Sequence, residues 1–136
     1  MGSVLERAVA ALGPLEGRIM RLLWTGTVTS TTAGSAEGEF VVRDVHQHTP
    51  ELAYTTVMTT LRRLADKHLL TAEARVGSRA YTYRVATTPT DFLAAASRRE
   101  ADDVVARYGD AALAAFAATL GDLTPEQRRR LEELGS

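Results

Sequence analysis

The 136-residue chain has no cysteine and no asparagine, a single lysine, a single tryptophan and few aromatics of any kind. Without cysteine there can be no disulfide, no thiolate metal centre and no thiol nucleophile. No apolar run approaches the roughly 18–20 residues that span a bilayer, and the mean hydropathy of −0.11 agrees. The opening Met1-Gly-Ser-Val-Leu-Glu-Arg7 has neither the basic start nor the apolar centre of a secretion signal. A cytoplasmic protein without a membrane partner is therefore expected. Catalytic groupings are missing as well. There is no Ser/His/Asp arrangement and no Gly-rich phosphate loop between strand and helix, and the acid pairs Asp102-Asp103 and Glu132-Glu133 are neighbours on solvated helix faces. His46 and His48 stand two apart and so face different sides of a short helix; with His68 they make a poor ligand set. The sequence predicts no enzyme, no metal and no cofactor.

What is present is an uneven charge. The net value is −1, but residues 40–86 carry seven Arg or Lys against four acids, whereas residues 87–136 carry six Arg against nine acids. A basic contact surface joined to an acidic segment with another task fits that split.

The basic part contains the most informative stretch, Leu52-Ala-Tyr-Thr-Thr-Val-Met-Thr-Thr-Leu-Arg-Arg-Leu-Ala-Asp-Lys-His68. Ala53, Val57, Leu61, Leu64 and His68 recur at helical spacing and predict one buried stripe. The other side carries Thr55, Thr56, Met58, Thr59, Arg62 and Arg63. Four threonines in six positions are poor helix formers, because β-branching restricts χ1 and the hydroxyl competes for backbone groups. Thr methyls and hydroxyls beside guanidiniums suit the edges of bases and phosphates in a major groove.

Two β-leaning runs follow, Leu69 to Val76 and Ala80 to Ala86, around Gly77-Ser78-Arg79. They predict a hairpin in which Tyr81, Tyr83 and Val85 alternate with Thr82 and Arg84. Upstream, Gly13-Pro14-Leu15-Glu16 opens a helix with Leu15, Ile19, Leu22 and Leu23 on its apolar side and Trp24 at its end. Residues 25–39 lack apolar periodicity and read as a flexible loop. Phe40-Val41-Val42 predicts a third short strand, Arg43 to His48 a short helix, and Thr49-Pro50-Glu51 a break. The fold class is mainly α with a small antiparallel sheet, a winged helix-turn-helix, in which helix and hairpin address groove and backbone. The domain division is 12–87 for DNA binding, with the insertion 25–39, and 88–136 for a helical region.

That helical region reads as Asp91 to Tyr108, ended by Gly109, then Ala111 to Leu120, then a helix capped by Thr124 with Pro125 and Gln127 behind it. Three short helices bury little apolar surface alone. Phe92, Leu93, Leu113, Phe116, Leu120, Leu131 and Leu134 are therefore assigned to dimerisation, the alternative being packing back onto the N-terminal domain. For DNA, Thr55, Thr56, Met58 and Thr59 are assigned to the groove, and Arg62 to a phosphate or a guanine. Arg63 sits nearer the buried edge and could be structural, and Arg79 at the wing tip is a phosphate or minor-groove candidate. Tyr54 either hydrogen-bonds a phosphate or acts as a hydrophobic staple. Arg43 and Tyr81 complete the set.

The chain resembles the penicillinase-repressor (BlaI/MecI) family. The matching features are Leu15-Glu16, Ile19-Met20 and Leu23-Trp24, then Val42-Arg43-Asp44-Val45 and the block from Leu52 to Leu64. Arg79 and Tyr83 of the wing and the closing Leu123-Thr124-x-Glu126 complete the match, over about residues 12–136. The resemblance implies a homodimeric repressor on double-stranded DNA with a palindromic operator, dimerised through its C-terminal helices. Relatives relieved by a β-lactam sensor are cut at an Asn-Phe bond, and copper-responsive ones use cysteine pairs. Neither residue type occurs here, so neither switch carries over. Two other functions compete: a winged-helix adaptor between proteins, and a small-ligand-responsive regulator with a pocket between wing and dimer helices.

Overall fold

The computed structural model describes residues 3–28, 30, 38–74, 77 and 81–135. These form α1 (Val4–Ala10), α2 (Pro14–Trp24), α3 (Val42–His46), α4 (Tyr54–Asp66), β1 (Leu70–Ala74), β2 (Tyr81–Val85), α5 (Pro89–Tyr108), α6 (Asp110–Gly121) and α7 (Pro125–Leu134). The chain makes two compact units, residues 1–94 and 95–136. The architecture is the expected one, helices with a small antiparallel sheet.

The core of the first unit follows helical periodicity on α4 but departs from it on α2. There Ile19 and Leu23 are buried as expected, Leu22 is half-buried, Leu15 is exposed and Met20 is buried in addition. Ile19, Met20 and Leu23 of α2, Val45 of α3, and Val57, Leu61 and Leu64 of α4 are buried together with Leu69, Leu70 and Tyr83. The α4 stripe is narrower than its spacing predicts. Ala53 is the exposed N-cap, and His68 lies beyond the helix. His68 adopts φ 67 and acts as the left-handed residue of a Schellman ending. Its N–H donates to the Ala65 carbonyl (3.0 Å), and that of Leu69 to the Leu64 carbonyl (2.9 Å). α2 ends in the same way, with Gly26 at φ 74 in the equivalent place.

α1 was not expected, although Ser3-x-x-Glu6 is a helix-start pattern: the Ser3 hydroxyl accepts from the Glu6 N–H. It docks on α2 at Gly17, where a Cβ would stand 2.8 Å from the Val9 carbonyl oxygen, and an Arg21–Glu6 ion pair ties the two. The predicted third strand is reduced to one residue. Phe40 bridges Tyr83 through N–H···O bonds of 3.0 and 2.8 Å, and Val42 already begins α3. The Asp44 carboxylate accepts from the Val41 N–H (2.8 Å), a capping contact that turns the chain into helix there. In the hairpin, Leu70 pairs with Val85, Ala72 with Tyr83 and Ala74 with Tyr81. Of the alternating apolar residues only Tyr83 is buried; Tyr81 and Val85 are exposed where the hairpin runs past the core.

Trp24 holds the start of α5. Its indole N–H donates to the Thr87 carbonyl (2.9 Å), and its ring lies 6.0 Å from that of Phe92. Phe92, assigned to dimerisation, is only 9% exposed, and Leu93 packs on the same core. Phe92 therefore belongs to the first unit's interior, and Leu93 lies partly buried at its edge. In the second unit α7 starts as predicted, with Thr124 and Gln127 in a reciprocal capping box. Leu113, Phe116, Leu120, Leu131 and Leu134 are exposed, Phe116 by 39% and Leu134 by 80%.

Candidate nucleic-acid interface

α4 is presented by a turn anchored from several sides. Thr49 is fully buried, and its hydroxyl donates to the Val45 carbonyl (3.3 Å). Glu51 pairs with Arg18 of α2. Its carboxyl is held below the ordinary value, first by a backbone hydrogen bond at Glu51 itself and then by the guanidinium. His46 Nε2 lies 2.9 Å from the Leu52 carbonyl oxygen, and its ring stands edge-on to Tyr54 at 5.6 Å.

Along α4 the residues sort by face. Val57, Thr60, Leu61 and Leu64 are buried, and Thr55, Thr59, Arg62 and Arg63 are exposed. Thr56 is half-buried. Met58, expected on the outer face, is half-buried against the core, so it is set back from the exposed ridge. Thr60 is 4% exposed and donates to the Thr56 carbonyl (2.8 Å), which satisfies its hydroxyl inside the helix.

Two open hollows flank the ridge. One, about 280 Å³, is lined by Leu15, Thr55, Thr56, Thr59, Thr60 and Arg63. The other, about 240 Å³, lies against the hairpin and is lined by Arg62, Ala65, Asp66, Ala72, Tyr81 and Tyr83. Arg62 and Arg63 thus serve opposite flanks, and Arg63 is exposed rather than tucked at a buried edge. Tyr83 is buried beneath the hairpin-side hollow, and that burial pushes its phenol above the ordinary value. Tyr54, half exposed, sits at the start of the helix, and Tyr81 stands exposed on the wing. Arg79 lies outside the described residues, as do residues 29 and 31–37 of the expected loop.

Ion pairing divides the cations in a way that composition hides. Lys67 is held by both oxygens of Glu16 (2.9 Å each), and Arg84 by Glu39 (2.9 Å). Among the described residues, Arg43, Arg62 and Arg63 form no ion pair. Among the described residues from 40 to 86, the arginines left without an acidic partner therefore lie on α4 and α3. Asp66 puts an acid at the C-terminal end of the ridge, so its earlier turns are the attractive part. Glu16 and Glu39 had no local signal, since each lies 45 or more residues from its partner.

The model of the penicillinase repressor family matches residues 12–135. Two curated relatives, each a "Transcriptional regulator BlaI" from strains of Mycobacterium tuberculosis, are 44% identical over 62 residues, 43% of this chain. The match spans 38% of the length of those relatives. A solved structure described as "Crystal Structure of a transcriptional regulator" aligns over 96% of this chain and 82% of its own, at 21% identity and a TM-score of 0.44. No helix among the described residues is long and apolar enough to cross a membrane.

Proposed function

Since the chain belongs to the penicillinase repressor family, we propose that it is a sequence-specific DNA-binding repressor acting as a homodimer on an inverted-repeat operator. The observation that carries this reading is the exposed ridge of Thr55, Thr59, Arg62 and Arg63, whose guanidiniums have no acidic partner among the described residues. Thr methyls and hydroxyls meet base edges, and the two arginines reach a guanine or the phosphates on either side. Thr56, Tyr54 and Tyr81 border that ridge, and Arg43 adds a cation from α3. An adaptor would need an apolar patch where these polar groups stand.

Self-association is proposed through the exposed apolar side chains of α6 and α7: Leu113, Phe116, Leu120, Leu131 and Leu134. A two-fold dimer would set its recognition helices about one DNA turn, roughly 34–36 Å, apart. Repression then follows from occupancy: the dimer covers DNA that polymerase would need. The division of labour proposed is residues 12–87 for DNA and 88–136 for the partner copy, with α5 rooted in the first unit through Phe92.

The test is a titration of the full chain on a duplex selected by it from random DNA. If a dimer neutralises about six to ten phosphates, affinity should fall by about 10³–10⁵ between 50 and 200 mM salt. Affinity that is flat in salt, or equal on an unrelated duplex, would overturn the reading.

A further inference from the structure

α4 lacks an ordinary start. Its N-cap is Ala53, with no side-chain cap bond, and its first turn carries no acid. No side chain at the cap position therefore fixes the direction in which the chain enters the helix. Here a single imidazole on the preceding helix engages both neighbours of the cap. A carbonyl only accepts, so His46 Nε2 carries a proton and donates to Leu52 across 2.9 Å. The same ring stands at 81° to the Tyr54 ring, 5.6 Å between centroids, an edge-to-face arrangement with a directional preference.

We propose that His46 is a positioning residue for DNA reading: through Leu52 and Tyr54 it sets the angle at which α4 offers Thr55 and Thr59 to the bases. This rests on the DNA reading above. Stability has other sources. Leu52 packs on the core, Thr49 is buried and bonded to Val45, and Glu51 is tied to Arg18. Losing His46 should thus leave the domain folded while the start of α4 samples a wider range of entry angles. Phosphates recur along the backbone and are met by long arginine side chains that can follow such play; the short threonines, which must reach particular base edges, cannot. The loss should appear in discrimination rather than in general affinity.

The experiment compares the full-length wild type with His46→Ala, His46→Gln and His46→Phe. Binding is measured on the duplex selected by the wild type and on an unrelated duplex of equal length, with thermal melting recorded for each protein. His46→Ala should lose about tenfold on the selected duplex, the scale of one hydrogen bond and one ring contact. On the unrelated duplex it should stay close to wild type. Glutamine can carry an amide N–H to the reach of the imidazole Nε2, so His46→Gln should recover most of the loss. His46→Phe keeps a ring but no donor and should not. Equal loss on both duplexes, or failure of glutamine to outperform phenylalanine, would overturn the proposal. Should His46→Ala fail to fold, the Gln and Phe variants, which both fill the space, decide the matter. A wild type that does not distinguish the two duplexes would instead sink the DNA reading itself.

Discussion

Residues 1–94 and residues 95–136 place their apolar side chains in opposite ways. The first unit sinks Ile19, Met20, Val45, Val57, Leu61 and Leu64 completely, and closes over them with Leu69, Leu70 and Tyr83. In the second, Ala112 alone is buried among the described residues, while Leu113, Phe116, Leu120, Leu131 and Leu134 face outward. One unit contains the partners for its own hydrophobic stripes. The other is a set of helices with no interior of its own, which in the dimer proposed above is completed by a second copy of the chain. The charge split runs the same way, with the acidic half being the one that has no core.

The largest expected effect breaks the comparison from its open side. Phe116→Asp combined with Leu120→Asp should turn the proposed dimer into a monomer by sedimentation. Operator affinity should then fall by about 10²–10⁴, the scale of losing a linked second site. The melting of the first unit should stay in place; a dimer that survives would move the interface elsewhere. Next comes the closed side. Leu61→Ala should cost about 2–5 kcal/mol in denaturant unfolding, and a loss under 1 kcal/mol would mean that the α4 stripe is not the centre of the core.

Smaller effects sharpen the contrast between the two faces of α4 itself. Thr59→Ala, on the exposed ridge, should weaken selected-duplex binding by about 1–3 kcal/mol and leave melting unchanged or slightly higher. Thr60→Ala, one residue further on and buried, should do the reverse; matching effects at the two positions would refute the assignment of faces. The smallest change expected is at the end of α4. His68 occupies the left-handed position that Gly26 fills at the end of α2. His68→Gly should therefore stabilise the first unit by about 1 kcal/mol by removing the Cβ penalty, read as a rise in denaturation midpoint.

Much of this molecule could be read directly, and what could not has common physical origins. The α4 helix, the hairpin and the Thr124 capping box announce themselves through periodicity and cap chemistry, which depend on residues within a few positions of one another. α1 carried such a signal in Ser3 and Glu6, but it is too short to show periodicity. Met58 and Thr60 were harder. A helix specifies angles, and only the neighbours that pack against it determine where burial begins, so a thioether was drawn in and a hydroxyl was buried with its bond turned to Thr56. Phe92 has the same local character as its apolar neighbours on α5, and its burial comes from Trp24, 68 positions earlier, which packs against it.

By itself the sequence determined the order and type of the elements from α3 to α7, the polar outer side of α4 and the exclusion of thiol chemistry. Those follow from local rules of spacing, turn preference and residue inventory. Only the tertiary structure decided which cations remain unpaired, since Glu16 and Glu39 reach Lys67 and Arg84 from distant parts of the chain. It also decided that His46 faces Leu52 and Tyr54 and that Phe92 belongs to the core. Charge and burial are properties of neighbours in space, and a chain acquires those neighbours only when it folds.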